Sequence, residues 1–433
     1  MRDAVPSLSP EEFSARFAEI HPPFAPQAAA VEAGRCLFCF DAPCTIACPT
    51  HIDVPRFIKK ISTGNLRGSA LAILESNVLG LSCSRVCPVD VLCEGSCVMH
   101  RYNKQPIEIG RLQRHAMDYF YSHNPSVPIA KNTARGRVAC IGAGPASLAC
   151  AAELRRRGIS VTLIDKNPLA GGLNTYGIAE YKLRPMDSLK EVELVRAMGA
   201  EFKLGVEAKP ESLEKDYDAI FIGVGLGETH HMKIPGENLD GVVDAIRFIA
   251  EYKTASIKVG RRVVVIGAGN TAIDAATAAR RLGAEEVHIL YRRGESEMPA
   301  FDYEYEIAKL DRIEFHWNTQ PVRIHGKQTV EGIECVRMDA HLEPIPGSNF
   351  QIPCEMVIPS IGQMRLVEFL SRCRGVELRD GCVAIQRETG QTANPKYFAG
   401  GDCVNGGREV VDAVADGKRA GAGIAKWLEA HHG

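Results

Sequence analysis

Residues 137–166 read RVACIGAGPASLACAAELRRRGISVTLIDK. An apolar run of strand type is broken by Gly142-Ala143-Gly144-Pro145-Ala146-Ser147. An Ala- and Leu-rich stretch with helical spacing follows, and a second apolar run ends at Asp165. Strand, glycine turn, helix and strand make up a dinucleotide-binding βαβ unit. Gly142 permits the tight turn, and Gly144 lets the backbone approach a pyrophosphate. The helix N-terminus supplies free N–H groups and a positive dipole end. Ser147 stands at the third glycine position and is small enough for close helix–strand packing. Asp165, 23 residues after Gly142, is placed to accept hydrogen bonds from a ribose diol.

The same grammar returns at 261–293, RRVVVIGAGNTAIDAATAARRLGAEEVHILYRR. Its turn, Gly267-Ala268-Gly269-Asn270-Thr271-Ala272, lies 125 residues beyond the first, and no shorter period is present. This predicts a duplicated nucleotide-binding unit rather than a solenoid. The second strand ends in Tyr291-Arg292-Arg293, with no carboxylate for a ribose hydroxyl. Two guanidiniums there suit a 2′-phosphate, which leans towards NADPH and leaves NADH open. A solvated basic edge is the plainer reading. DYDAIFIGVG (216–225) reads as a strand crossing between the two units. The stretch from Tyr397 reads as a strand, a glycine-rich loop and a terminal helix. Asp402, after Gly401, is placed to bind a ribityl chain, or simply to cap a helix. Two such motifs predict a flavoprotein whose NAD(P) domain is inserted in its FAD domain.

The composition bounds the rest. The chain has 433 residues, 45% of them apolar, and a net charge of -2. This charge makes no case for nucleic acid or an anionic membrane. No apolar run approaches the ~18 residues of a membrane span. The N-terminus shows no signal-peptide pattern, so a cytoplasmic location is expected.

Eight of the fifteen cysteines fall in two short runs. CLFCFDAPCTIAC (36–48) has the spacing C-x2-C-x4-C-x3-C, with Pro49 next. CSRVCPVDVLCEGSC (83–97) follows. Bacterial ferredoxins use a similar run whose last cysteine serves the other cluster. Paired C-x2-C units with a long gap would favour zinc; C-x3-C-P and C-x5-C-x3-C favour iron–sulfur. Cys335, Cys354, Cys373 and Cys382 are scattered, Cys140 and Cys150 read as core, and Cys403 has no partner in sequence. No redox Cys-x-x-Cys accompanies the flavin motifs. Electrons taken from a nicotinamide therefore need another exit, and clusters supply one.

The expected fold is α/β. An α-helical iron–sulfur domain (1–130) precedes a Rossmann-like FAD domain in two parts (131–255 and 361–433), with the NAD(P) domain (256–360) between them. SVPIAKNTARG (126–136) reads as a linker, and 54–76 as a helical stretch.

CLFCFDAPCTIACPTHIDVPRFI, NVLGLSCSRVCPVDVLCEGSC, PIEIGRLQ, GAGPAS, DKNPLAGGL, YGIAEYKL, GAGNTA, YRR and AGGDCVNGG occur in this order. Together they resemble the N-terminal half of dihydropyrimidine dehydrogenase and the electron-input subunit of its bacterial two-subunit form. The wider superfamily includes the glutamate synthase small subunit. The resemblance implies two [4Fe–4S] clusters, one on Cys36, Cys39, Cys44 and Cys97, the other on Cys48, Cys87, Cys93 and Gln113. Cys83 would be a buried non-ligand. Without the resemblance, Gln113 reads as a surface helix residue. FAD contacts carry over onto Gly142 to Ala146, Asp165, Lys166, Gly171, Gly172, Leu173, Lys182, Gly401 and Asp402. Lys182 stands where relatives commonly have Arg. Nicotinamide contacts carry over onto Ala268 to Thr271, Arg292, Arg293 and the loop Ser360-Ile361-Gly362. Pro299 replaces a further basic residue of NADPH-using relatives, so the implied donor is NAD(P)H. The sequence ends at Gly433, where long relatives continue into an FMN-binding barrel. The resemblance therefore implies a separate FMN-containing partner that reduces uracil or thymine, with no side chain here needed as general acid or base. A glutamate synthase-type partner is the alternative. A diaphorase with zinc-bound cysteines is a third reading.

Overall fold

The computed structural model describes residue 5 and residues 7–128, 136–254 and 257–432. The linker read at 126–136 lies largely outside them, as do the expected boundaries at 130/131 and 255/256. The chain divides into two compact units, one of Met1–Ile20, Tyr176–Tyr181 and Gly227–Met364, the other of His21–Thr175, Lys182–Leu226 and Arg365–Gly433.

The larger unit is built on a five-stranded parallel sheet. Its strand order is Tyr397–Ala399, Ala219–Ile222, Arg137–Ile141, Ser160–Asp165, Glu201–Leu204. Both faces of the central strand are buried, so its apolar run is continuous rather than alternating. Val138 and Cys140 enter one core, and Ala139 and Ile141 the other. Helices Pro145–Arg156 and Val410–His432 pack on the first face. The segment 216–225 supplies the strand Ala219–Ile222 of this sheet, and the chain enters the other unit at Gly227.

The cysteine helices share that first core: Phe57, Ile58, Ile73, Leu74 and Met117 belong to one apolar cluster with Leu148 and Ala151. Arg156 donates to the Leu74 carbonyl at 2.5 Å, and Lys418 to that of Ser76 at 3.2 Å. The helical stretch 54–76 forms two helices, Val54–Ser62 and Leu66–Ser76. Gly64, at φ +76, lies between them, and the Asn65 side chain caps the second helix by accepting from Gly68 N at 2.9 Å.

The smaller unit carries a four-stranded parallel sheet, ordered Met356–Pro359, Arg262–Ile266, Glu286–Leu290, Glu314–His316. An antiparallel sheet of Thr319–His325, Gly332–Arg337 and Phe350–Ile352 accompanies it. This unit runs wider than the segment 256–360. Val243 N donates to Val357 O at 3.0 Å, and Phe248, Ile249 and Tyr252 of helix Ala245–Thr254 join its core. The segment ending at Ile20 also packs here rather than with the cysteines, because Phe17 is buried against Tyr252 with ring centroids 5.5 Å apart.

Candidate functional site

The first glycine turn is closed by its neighbours. Gly142 has φ +94, and a Cβ there would lie 2.5 Å from the Gly223 carbonyl oxygen, so only glycine fits without a shift. Pro145 opens the helix at a position that needs no N–H. Gly171 N donates to Ala143 O at 2.8 Å, which brings Gly171-Gly172-Leu173 against the turn. Gly401 abuts Ala146, so the start of Asp402–Asn405 arrives at the same place. Three stretches expected to hold one flavin nucleotide therefore converge. Asp165 accepts from Ala143 N and Asn167 N, both at 2.8 Å, so its carboxylate also fixes the turn. Asp402 accepts from Arg408 N at 3.2 Å, and burial raises its pKa. Lys182 is buried and Lys166 exposed.

The second turn repeats the plan with other partners. Gly267 has φ +120, and a Cβ there would lie 2.2 Å from the Ser360 carbonyl oxygen, which sets the loop Ser360-Ile361-Gly362 beside it. Asn270 Oδ1 accepts from Phe301 N at 3.1 Å, and Pro299 lies by Gly269. Ala268 is buried, Thr271 half-buried, and Gly362 exposed with φ +92. Arg292 is exposed, and Arg293 lies 3.8 Å from Glu297.

In the cysteine region, Cys36, Cys39, Cys44 and Cys97 line one cavity with an apolar shell of Val54, Ile58, Met99, Ile107 and Ile109. Phe38, between the first two, has φ +51, a left-handed conformation that bends the chain between two residues lining this cavity. In the second set Cys87 lies against Cys83, with Cys93 and Cys48 near enough to affect its thiol. Burial raises the Cys36 thiol and pushes Cys44 up to about 12. A hydrogen bond with Cys83 raises Cys87, and burial adds to this. Such thiols are not nucleophiles at neutral pH; a cation must draw out their thiolates. Backbone N–H groups of Phe38, Thr45 and Glu94 point at the sulfurs of Cys36, Cys44 and Cys93. Tetrahedral zinc would draw four thiolates to within about 3.8 Å of one another. Among the described residues no three cysteine sulfurs lie within 4.8 Å of one another. A single zinc ion would therefore require these sulfurs to draw together.

Gln113, on helix Ile109–Ser122, is 8% exposed, not a surface residue. Its Nε2 donates to Gly80 O at 2.8 Å, which leaves the amide oxygen as the free end. Cys83 is buried beside Cys87. Glu191 gave no sign in the sequence. It lies fully buried on helix Pro185–Ala197 and accepts from Leu81 N at 2.8 Å, Ser82 N at 3.1 Å and the Ser82 hydroxyl. It thus ties the flavin-type fold to the helix that precedes Cys87. Cys403 is buried, its thiol pushed up to about 12 by burial and by Asp402, with the Ile222 and Gly400 carbonyls 3.5 Å away. All fifteen cysteines are free thiols. Among the described residues no helix is long and apolar enough to cross a membrane.

Residues 13–125 match the family described as dihydropyrimidine dehydrogenase domain II, 4Fe-4S cluster, and residues 136–417 match the pyridine nucleotide-disulphide oxidoreductases. The chain is 36% identical to the glutamate synthase [NADPH] small chain of Escherichia coli, over 95% of this chain and 94% of that one. It is 34% identical to the NADP(+)-dependent formate dehydrogenase subunit beta of Moorella thermoacetica, over 89% of this chain and 60% of that one. Thioredoxin reductase of T. acidophilum superposes with a TM-score of 0.57 at 21% identity, covering 67% of this chain and 98% of that one, a likeness of fold. The chain is a member of the pyridine nucleotide-disulphide oxidoreductase family, in the group that includes the glutamate synthase small chains.

Proposed function

We propose that this chain is the electron-input subunit of a multi-chain oxidoreductase, taking electrons from NADPH and delivering them to a separate catalytic chain. The observation that carries this is the joining, in one compact unit, of a flavin-type glycine turn and eight clustered cysteines, with every cysteine a free thiol. Bound FAD would accept hydride and release electrons singly, as each [4Fe–4S] centre takes them. The chain's own residues bind and place these groups. Gly142 to Ala146, Asp165, Lys166, Gly171 to Leu173, Lys182, Gly401 and Asp402 would hold FAD. Cys36, Cys39, Cys44 and Cys97 would hold one cluster, and Cys48, Cys87, Cys93 and Gln113 a second. Arg292 and Arg293 would receive the 2′-phosphate of NADPH, beside Ala268 to Thr271 and Gly362. The relatives' names, with NADPH or NADP(+) in each, support that choice of nucleotide.

For the partner, full-length similarity to glutamate synthase small chains favours a glutamate synthase-type large chain. This sets aside the order of preference that the motifs alone suggested. A pyrimidine-reducing, FMN-containing partner stays as the second reading. The run CLFCFDAPCTIACPTHIDVPRFI and the burial of Gln113 support it.

Purified chain, mixed in turn with each kind of partner, separates the readings. NADPH oxidation that depends on glutamine and 2-oxoglutarate supports the first, and oxidation that depends on uracil the second. Cys36→Ala with Cys48→Ala should lower transfer to the partner at least ~100-fold while leaving flavin reduction by NADPH intact. Transfer at the wild-type rate in that variant would end the electron-input reading.

A further inference from the structure

The edge of the second parallel sheet carries a group of side chains that neither nucleotide nor cluster binding uses. His288 lies mid-strand in Glu286–Leu290 and is 8% exposed. Glu314 pairs with His288 in register, and His316 with Leu290, on the neighbouring edge strand. Residues two apart on a strand share a face, so the edge strand offers Glu314 and His316 together. His288 Nδ1 is 3.1 Å from His316 Nε2 and 3.3 Å from a Glu314 carboxylate oxygen. All three ligand atoms lie within 4.8 Å of one another, which no other trio of His, Cys, Asp or Glu achieves among the described residues.

The geometry points to a divalent transition-metal site of the zinc class, held by His288 Nδ1, His316 Nε2 and the Glu314 carboxylate, with water completing the coordination. A metal–ligand distance of 2.0–2.1 Å sets tetrahedral ligand atoms about 3.3 Å apart, the spacing of the two contacts above. His288 Nδ1 offers either one proton or one lone pair, so it makes one good hydrogen bond, yet it has two close partners here. Two imidazoles and one carboxylate suit zinc better than calcium or magnesium, which prefer all-oxygen sites. The other ring nitrogen of His288 lies 3.9 Å from a Glu286 carboxylate oxygen, too far for a hydrogen bond. Arg337 is the nearby cation, and its guanidinium is engaged by Thr319 Oγ1 at 2.9 Å and Trp317 O at 3.3 Å. His316 O accepts from Tyr291 N at 3.1 Å. A metal here would brace the strand pair that leads into Arg292 and Arg293. The inference is independent of the electron-input reading.

The test uses the full chain with its native cofactors and zinc as the probe. After equilibrium dialysis against micromolar buffered zinc, wild type should retain one zinc per chain beyond its iron. X-ray absorption at the zinc edge should show nitrogen and oxygen scatterers at ~2.0–2.1 Å. His316→Ala and Glu314→Gln should each weaken zinc binding at least ~10-fold with iron and flavin content unchanged. Glu314 is exposed, so its substitution decides the matter should His316→Ala fail to fold. Unchanged zinc binding in E314Q, or sulfur scattering at ~2.3 Å, would overturn the site.

Discussion

At Gly142 the turn closes against Gly223, and at Gly267 it closes against Ser360; in both, the chain uses a left-handed glycine and a carbonyl oxygen to shut the loop. The strand ends then diverge. Asp165 uses both carboxylate oxygens on backbone N–H groups at the first turn, so its anionic end is fixed in place. The second strand runs into Arg292 and Arg293, and a side-chain amide, Asn270, holds the covering segment through Phe301 N. One loop geometry would therefore serve the two nucleotides proposed above, and the charge at the strand end would separate them. An anionic end suits a ribose diol, and a cationic end a phosphate.

The largest effects come from the turns themselves. Gly142→Ala puts a Cβ 2.5 Å from the Gly223 carbonyl oxygen, on a backbone that L side chains rarely adopt. It should leave less than about a tenth of the flavin bound after gel filtration, and no NADPH oxidation. Gly267→Ala meets Ser360 O at 2.2 Å and should spare the flavin. Flavin reduction by NADPH, followed by rapid mixing, should slow ~100-fold, the cost of a misplaced donor. If Gly267→Ala emptied the flavin site as fully as Gly142→Ala, the division of labour between the two turns would be refuted.

A smaller change tests the strand ends. Arg292→Ala and Arg293→Ala should each raise the KM for NADPH about tenfold or more, the worth of a charge-assisted hydrogen bond. The KM for NADH should move little. Equal changes for both nucleotides would make the pair a solvated basic edge.

The two turns, their helices and the terminal strand–loop–helix were legible because they rest on local rules: a glycine where φ is positive, a small residue where helix meets strand, a charge at a strand end. The cysteine spacing was legible for the same reason. Contacts made across the chain were not. Glu191 meets Ser82 across 109 residues, and a lone glutamate on a helical pattern carries no mark of burial. Phe17 reads as part of the cysteine segment yet packs on Tyr252. Gln113 looks like a helix-surface residue, and only the neighbouring Gly80 carbonyl shows its amide to be enclosed. His288 and His316 stand in ordinary strand patterns, and register alone unites them.

The units around the two turns also differ in what is fastened to them, and pH offers the finest probe. Glu191 joins the first turn's unit to the helix before Cys87. Burial raises its pKa to about 7, against the Ser82 hydroxyl, the Ser82 and Leu81 N–H groups and the Arg85 charge, which lower it. Tyr121 is the other titratable neighbour, and its own pKa is raised mainly by burial. In the unfolded chain a glutamate titrates near ~4.3. Below that pH both states hold the proton, and the contribution to stability is fully present. As pH rises from ~4.3 towards 7, the unfolded chain gives up its proton first, and stability falls until the folded carboxyl ionises as well. Glu191→Gln keeps an oxygen for the N–H groups and has nothing to titrate. Its unfolding midpoint in denaturant, followed by flavin release, should therefore decline less between pH 5 and 7 than that of wild type. The expected difference is about 1 kcal/mol, because relaxation around a buried carboxylate absorbs much of the cost of burial. Parallel slopes for the two proteins would mean that Glu191 is ionised where it lies, held by Arg85 and the helix N–H groups.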